Sequence, residues 1–187
     1  NGRKNAYLYT VRCEIFDSTT QEVTDNIDIR TGLREYHIDS HKGFFLNGEH
    51  IKLQGVSRHQ DRENMGNAIT EKQHAEDVKI ILDVGANSVR LAHYQQNSYF
   101  YGLCDESGLL VWAEVPVISR FSPKRNENAE QQLVELIKQN YNHPSIFCWG
   151  IENEITIAGS ASKKLITFLK HMHKVARHLD PTRYTTC

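Results

Sequence analysis

The stretch that ends at Glu154 combines residue types that proton transfer needs. An apolar, β-prone run over residues 146–149 stops abruptly in a cluster that includes Asn153 and Glu154. A strand that ends in this way delivers an acid and a hydrogen-bonding amide to one point in space, which suits a general acid/base. We therefore expect Glu154 to be a catalytic acid/base. A solvated loop acid is the alternative for Glu154 alone, and the adjacent amide favours function because it suits recognition of a sugar hydroxyl.

These side chains need strands to position them, and the chain from residue 51 onward has a regular strand–helix rhythm. Strand-like runs occur at residues 51–56, 88–91, 109–112 and 146–149, and each is followed by a helical run. This alternation implies parallel strands joined by helical crossovers. A doubly wound sheet and a (β/α) barrel both fit it. A complete (β/α)8 barrel needs about 250 residues, so about four units fit here.

Local signals set the limits of the helices and of one hairpin. Thr70 precedes Gln73 at the spacing of a capping box, which starts a helix, and Gly85 is placed to end that helix. A proline after Asp180 ends the last helix. The Asn-Gly pair at residues 47–48 predicts a type I′ hairpin, because both residues tolerate positive φ.

Active-site residues of parallel α/β folds lie at the carboxyl ends of the strands. Polar or titratable side chains follow all the predicted strands, and we take them as candidates. They are Arg58, His59 and Asp61 after the first strand, Arg90, His93 and Tyr94 in and after the second, Glu114 after the third, and Glu152, Asn153 and Glu154 after the fourth. Such a rim, with Trp112 and Trp149 nearby, suits a polyhydroxylated ligand.

Each candidate also has a purely structural interpretation. A single histidine after a strand is more often a surface or loop-capping residue, but His59 and His93 hold equivalent positions in consecutive units. Glu114 precedes a Val-Pro pair and is equally well placed to cap a loop. Arg90, inside a strand, is either a buried structural cation or the partner of an active-site carboxylate.

The bulk composition argues against several classes of function. Of the 187 residues, 39% are apolar and 24% charged, and the net charge of -1 gives no electrostatic case for nucleic acid. No apolar run approaches the roughly 20 residues that a membrane span requires. The cysteines are too few and too scattered for a disulfide framework or a zinc site, and we expect Cys13 and Cys148 to be buried, inert thiols.

The first thirty or so residues have the alternation of β-strands rather than the strand–helix rhythm. Apolar residues alternate with polar ones over residues 6–16 and again over 23–29. Two strands alone are not stable in water. We interpret them as the tail of a β-sandwich whose earlier strands precede the chain, or as an edge borrowed by the next segment of the chain. The chain opens on Asn1 rather than Met, so we expect it to begin within a longer protein.

The motifs, in their order and spacing, resemble glycoside hydrolase family 2, the family of β-galactosidases, β-glucuronidases and β-mannosidases. They lie at residues 7–11, 31–34, 43–48, 55–59, 85–94, 103–109 and 142–154. The resemblance implies an α/β fold: a partial TIM (β/α)8 barrel preceded by the last strands of an immunoglobulin-like β-sandwich. It implies a sandwich tail over residues 1–38 and the amino-terminal half of the barrel over residues 39–187.

The resemblance also implies a retaining exo-β-glycosidase, β-galactosidase-like, that hydrolyses terminal β-linked sugars. Glu154 matches the family's acid/base, and Asn153 matches an amide that hydrogen-bonds the sugar, at the 2-hydroxyl. His59 and His93 match histidines that contact the substrate or stabilise the transition state. Arg90 matches a barrel arginine held near the catalytic carboxylates.

Retaining glycosidases use two carboxyl groups about 5–5.5 Å apart, one as acid/base and the other as nucleophile. The family's nucleophile is a second glutamate on a later strand, which we expect beyond Cys187. The chain is therefore expected to be a fragment that hydrolyses no substrate by itself. Glu114, which follows the third strand at the same rim, is counted among the substrate-binding candidates.

A few positions depart from the family's pattern. Gln95 stands after the His-Tyr pair where the family often has proline, and Glu152 stands where glycine is common. Galactosidases with a magnesium ion in the site have a glutamate and a histidine as ligands after the third strand. The aligning positions hold Ile118 and Arg120, so we expect no metal cofactor.

The expected partner is a β-linked oligosaccharide or glycoside, with neither nucleic acid nor a membrane. The sequence leaves open whether the full-length protein forms a homo-oligomer. It also leaves open whether the sugar is galactose, glucuronic acid or mannose. A different class of function is also open: a non-catalytic carbohydrate-binding or structural relative of the same fold.

Overall fold

The computed structural model of the protein describes residues 5–157 and 161–187. In these ranges the strands are β1 (Tyr9–Phe16), β2 (Val23–Thr31), β3 (Tyr36–Asp39), β4 (Gly43–Leu46), β5 (Glu49–Ile51), β6 (Gly55–Arg58), β7 (Ser88–Leu91), β8 (Leu110–Glu114), β9 (Ile146–Gly150) and β10 (Tyr184–Thr186). The helices are α1 (Glu71–Asp83), α2 (Ser98–Ser107), α3 (Asn126–Asn140) and α4 (Lys163–Leu179). Among these helices, none is long and apolar enough to cross a membrane.

Strands β6 to β10 form one parallel sheet, and their order in space is their order in the chain. A doubly wound sheet reverses its strand order at a switch point, whereas a barrel does not. The partial barrel expected from the sequence is therefore confirmed. Strand β10 adds the start of a fifth unit, which the sequence pattern did not predict.

Successive side chains of each barrel strand point to opposite faces of the sheet. On β7 and β8, Val89, Leu91, Val111 and Ala113 join the buried core that includes the residues of the helices. The residues between them point to the barrel interior, and the pairing places Arg90 beside Trp112. This parity decides which polar residues of the strands face the interior and which face the helices.

The predicted helix limits agree with the structure. The backbone N–H of Thr70 donates to Oε1 of Gln73 at 2.9 Å, which completes the predicted contact at the start of α1. Helix α1 ends before Gly85, whose φ of +83° suits glycine. Helix α4 ends at Leu179, directly before Asp180.

The antiparallel sheet β3–β4–β5 packs against the amino-terminal end of β8. Its hairpin turns at residues 47–48, both with positive φ, so the predicted Asn-Gly hairpin is confirmed. Phe44 and Leu46 pack against Leu110, the first residue of β8. The single strand predicted over residues 51–56 is wrong, because β5 and β6 belong to different sheets and a short loop separates them.

Among the described residues, strands β1 and β2 pair only with each other, in antiparallel register. Cys13 is exposed, so the predicted burial of this thiol is wrong, whereas Cys148 is buried as expected. The segment after β2 is tied to the barrel by Arg34, which donates to the carbonyl oxygens of Pro144 at 2.6 Å and Ile146 at 2.7 Å. The domain division expected after residue 38 stays a prediction.

Asp180 holds together the end of α4 and the sheet. Its Oδ2 accepts hydrogen bonds from Nε1 of Trp149 at 2.9 Å and Nη1 of Arg183 at 2.7 Å, and its Oδ1 accepts from the backbone N–H of Thr182 at 2.9 Å. Trp149 is therefore fully buried on the α4 side of the sheet, so this tryptophan, expected near the rim, does not face a ligand there. Burial by itself raises the pKa of Asp180, but the hydrogen bonds from Thr182, Arg183 and Trp149 outweigh it and lower that pKa.

We expect Asp180→Asn to lower the free energy of unfolding by about 3 kcal/mol, because Arg183 keeps its buried charge and loses its counter-ion. The contribution of Asp180 is complete above the ordinary aspartate pKa of about 3.9 and is lost as the pH falls through the lower folded value. Urea unfolding of variant and wild type at pH 7 and pH 3 measures both effects.

The matched control is Asp83→Asn, which removes an exposed ion pair with Lys79. Exposed pairs contribute little, so this variant should unfold close to wild type. Equal stabilities of the Asp180 and Asp83 variants at pH 7 would contradict the assignment.

Candidate active site

Glu114 ends β8 inside the barrel, and its side chain is 0% exposed. Arg90, on the neighbouring strand, donates from Nε to Oε1 of Glu114 at 2.5 Å and from Nη2 to Oε2 at 3.2 Å. The guanidinium also lies over the ring of Trp112, 4.7 Å from its centroid. Of the two interpretations left open for Arg90, the structure supports the partner of a rim carboxylate, because the pair lies at the carboxyl ends of β7 and β8.

His93 approaches the same carboxylate from the loop after β7. Its Nδ1 lies 3.0 Å from Oε2 of Glu114 and 3.2 Å from Nη2 of Arg90. A single ring nitrogen cannot serve both, since the carboxylate only accepts and the guanidinium only donates. We assign the proton to Nδ1 because the carboxylate contact is shorter. In this tautomer Nε2 is left as an acceptor.

Asn153 is held by both its backbone and its side chain. Its N–H donates to the carbonyl oxygen of Val117 at 2.8 Å, and its carbonyl oxygen accepts from the N–H of Ser119 at 3.0 Å. Its Oδ1 accepts from Nη2 of Arg90 at 2.6 Å, which fixes the orientation of the amide. Nδ2 is buried and has no hydrogen-bond partner among the described residues. An unsatisfied buried donor costs about 1–3 kcal/mol, which an external acceptor would recover.

Glu154 has a φ of +52°, in the left-handed region that glycine favours. Such a conformation costs a non-glycine residue roughly 1–2 kcal/mol. At this turn the two neighbouring side chains point in different directions: that of Asn153 is buried and that of Glu154 is exposed. Glu152 supports the turn, because its Oε2 accepts from the N–H of Ile155 at 3.1 Å. Glu152, which stands where glycine is common in the family, therefore caps this loop.

His59 is exposed and meets the loop of the next unit. Its ring lies edge-on to that of His93, with centroids 5.2 Å apart, and its centroid is 6.0 Å from that of Tyr94. The Tyr94 hydroxyl accepts from the N–H of Gln60 at 2.9 Å, which ties the two loops together. His59 thus joins Arg90, His93, Glu114 and Asn153 in one connected set of contacts.

Not every polar residue at a strand end points to this rim. Arg58 is buried on the helix side of β6, where it donates from Nη2 to Oδ2 of Asp77 at 2.7 Å and lies 3.9 Å from the ring centroid of Phe100. It secures α1 and α2 and does not belong to the site. Parity within β6 could have excluded it, but the sequence did not fix the last residue of that strand.

Gly150 is a requirement of the site that the sequence did not reveal. It lies opposite Glu114 in the paired register of β8 and β9. A Cβ atom at this position would lie 2.6 Å from Cγ of Glu114 and 2.5 Å from Nε1 of Trp112. Glycine is therefore needed here because the neighbouring strand's side chains fill the space.

The positions of the magnesium ligands of some galactosidases do not fit a metal in this chain. Ile118 has no donor atom and forms a backbone bridge with Asn153, while Arg120 is a cation. Among the described residues, no three His, Cys, Asp or Glu side chains are grouped to hold a metal ion. We therefore assign no step of the chemistry to a metal at these positions.

The model of the TIM barrel domain of glycosyl hydrolases family 2 matches residues 38–187. The chain belongs to glycosyl hydrolase family 2. A β-glucuronidase from Bacteroides fragilis is 42% identical over 100% of this chain and 27% of its own length, and a β-galactosidase from Thermoanaerobacter pseudethanolicus is 34% identical over 96% and 23%. A solved structure, Bacteroides uniformis β-glucuronidase 2 covalently bound to cyclophellitol-6-carboxylate aziridine, has a TM-score of 0.91 and 32% identity, and it covers 98% of this chain and 24% of its own. This family 2 chain spans about a quarter of the length of these relatives.

We expect Gly150→Ala to destabilise the protein by about 1–3 kcal/mol, because the added methyl group displaces Glu114 and Trp112. Near-ultraviolet circular dichroism should report the movement of Trp112, and thermal unfolding the loss of stability. Gly102→Ala is the matched control, since nothing lies within 4 Å of its Cβ position in α2. Alanine stabilises a helix interior by about 0.5–1 kcal/mol relative to glycine. If the Gly150 variant unfolds like wild type, the steric argument is wrong.

Proposed function

We propose that the protein containing this chain is a retaining exo-β-glycosidase that hydrolyses terminal β-linked sugars. The observation that carries the proposal is the pair in the loop after β9: an exposed carboxyl group on Glu154 beside a buried amide donor on Asn153 that has no hydrogen-bond partner in the part of the chain that the structure describes. Family 2 membership supports it, as do the glycosidase names of the relatives.

In the proposed reaction, Glu154 acts twice. As a general acid it donates a proton to the glycosidic oxygen, so the leaving group departs as a neutral alcohol. As a general base it then takes a proton from the water that hydrolyses the glycosyl-enzyme intermediate. The exposed position of Glu154 suits both steps, because leaving group and water reach the rim from solvent.

Asn153, His93 and His59 are proposed to bind the sugar. Nδ2 of Asn153 donates a hydrogen bond to a hydroxyl group, the 2-hydroxyl in our proposal. This bond recovers the cost of burying a donor that lacks a partner within residues 5–157 and 161–187. Nε2 of His93 accepts a hydrogen bond from another hydroxyl. His59, in ring contact with His93, lines the same side of the site.

The nucleophile is proposed to be a glutamate on a later barrel strand, beyond Cys187. The lengths of the relatives leave room for it, since this chain spans only about a quarter of each. The Bacteroides uniformis enzyme was solved covalently bound to an aziridine, which supports covalent chemistry in that relative. A retaining mechanism in this protein would require the same kind of nucleophile.

The resemblance implies a β-galactosidase-like enzyme, but it leaves the sugar open among galactose, glucuronic acid and mannose. The relatives carry both names, and the β-glucuronidase from Bacteroides fragilis is more similar to this chain than the Thermoanaerobacter pseudethanolicus β-galactosidase. We therefore propose β-glucuronides as the first substrates to test and β-galactosides as the alternative. Nitrophenyl glycosides of glucuronic acid, galactose and mannose, assayed with the full-length protein, distinguish the three sugars.

We expect Glu154→Gln in the full-length protein to lower the hydrolysis rate of glycosides with poor leaving groups by about 10²- to 10⁴-fold. Activated aryl glycosides should lose less in the first step, because their leaving groups need no proton. Azide should partly restore turnover, since it attacks the intermediate without a general base. Steady-state rates with 2,4-dinitrophenyl and alkyl glycosides measure these effects.

Glu152→Gln is the control, because its amide oxygen can still accept from the N–H of Ile155. This variant should retain wild-type rates on both substrate types. Wild-type rates for the Glu154 variant on both types would exclude Glu154 as the acid/base. Sugar binding without turnover by the wild-type protein would instead favour a non-catalytic carbohydrate-binding relative.

A further inference from the structure

We propose that Glu114 is a positioning residue of this site: its buried carboxylate orients the Asn153 amide through Arg90 and sets the proton position of His93. It does so without touching the substrate. This inference deepens the proposed function and rests on it, because the groups that Glu114 positions are the proposed sugar-binding groups.

The burial of Glu114 excludes direct contact with a ligand at the rim. Its side chain is 0% exposed, and both carboxylate oxygens accept hydrogen bonds, Oε1 from Arg90 and Oε2 from Arg90 and His93. On the opposite side, Gly150 is so close that even a methyl group would collide with Glu114. The carboxylate therefore has one arrangement available, with its acceptors turned toward Arg90 and His93.

Arg90 transmits this arrangement to Asn153. A guanidinium group is planar and rigid, so the bond from Nε to Glu114 at 2.5 Å sets the direction of Nη2. Nη2 then meets Oδ1 of Asn153 at 2.6 Å. Because Arg90 can only donate, the amide must turn its oxygen toward Arg90 and its Nδ2 away. Glu114, two contacts away, therefore sets the direction of the Nδ2 donor.

Glu114 sets the tautomer of the His93 ring by direct contact. Its Oε2 lies 3.0 Å from Nδ1, and a carboxylate acceptor at this nitrogen selects the tautomer with the proton on Nδ1. Nε2 is then an acceptor for a sugar hydroxyl. Without the carboxylate, the nearby Nη2 of Arg90, 3.2 Å from Nδ1, favours the opposite tautomer. The loss of Glu114 should thus invert the hydrogen-bonding character of His93 and free the Arg90 guanidinium from the contact that directs it at Asn153.

A merely structural role would make Glu114 the counter-ion of Arg90 and nothing more. The chain offers a matched comparison beside β7, where Arg58 of β6 pairs with Asp77 of α1 on the helix side of the sheet. Asp77→Asn weakens an arginine–carboxylate pair away from the rim. Its effect should appear in thermal stability and leave the ratio of rates between substrates unchanged.

The test is a double-mutant cycle in the full-length protein, with Glu114→Gln, Asn153→Ala and their combination. We expect Glu114→Gln to lower kcat/KM for an aryl glycoside about 100-fold in the wild-type background and about tenfold or less in the Asn153→Ala background. The effect should also shrink for the corresponding 2-deoxyglycoside, which lacks the hydroxyl that Asn153 is proposed to bind. The same fold loss in both backgrounds would overturn the inference.

Arg90→Lys tests the same link if Glu114→Gln fails to accumulate. Lysine keeps the charge but lacks the fork that reaches both Glu114 and Asn153, so its loss in kcat/KM should likewise shrink in the Asn153→Ala background. An undiminished loss contradicts the relay. A crystal structure of the Glu114→Gln protein gives a readout independent of activity. The Asn153 amide or the His93 ring should turn, and unchanged positions of both would overturn the inference.

The two proposals fail in different ways. If the wild-type protein hydrolyses no glycoside, the proposed function is wrong, and the Glu114→Gln structure still decides the positioning role. If the wild-type protein is active and Glu154→Gln behaves as expected, additive effects of Glu114→Gln and Asn153→Ala contradict only the positioning role of Glu114.

Discussion

The buried carboxylate of Glu114 is the constraint on which the rest of the site depends. An ionised group without contact to solvent must be matched by donors, and Arg90 and His93 supply them from β7 and the loop after it. Nη2 of Arg90 then fixes Asn153 in the loop after β9. The carboxylate also needs space, which Gly150 leaves on the facing strand. One buried charge thus ties three parallel strands to a single geometry at the rim.

Much of the architecture could be predicted because it depends on local rules. The contact between Thr70 and Gln73 needs only residues three positions apart, and the hairpin at residues 47–48 needs only a turn that tolerates positive φ. Parallel strands bring their carboxyl ends to one edge, which is why His93 and Asn153 could be assigned to the same rim from their positions after strands. Their contacts with Arg90 agree with that assignment.

The features that could not be predicted depend on contacts between strands. A shift of one residue in a strand moves every side chain to the other face, so the placement of Arg58 toward α1 and of Trp149 toward α4 required the register. The need for Gly150 arises from Glu114 and Trp112, which are distant in sequence. Strand β10 has no apolar run, and it is a strand because β9 offers it a partner.

One distance tests most directly the claim that Glu154 is the acid/base of a retaining site. It is the distance between the Glu154 carboxyl group and the nearest other carboxyl group at the rim, measured in a crystal structure of the full-length protein with a bound sugar. We predict a second glutamate from a later strand, with the two carboxyl groups about 5–5.5 Å apart on either side of the glycosidic bond. We also expect Nδ2 of Asn153 to donate a hydrogen bond to the sugar. A separation of about 6.5–9.5 Å, as in inverting enzymes, or the absence of a second carboxyl group, would contradict a retaining site built around Glu154.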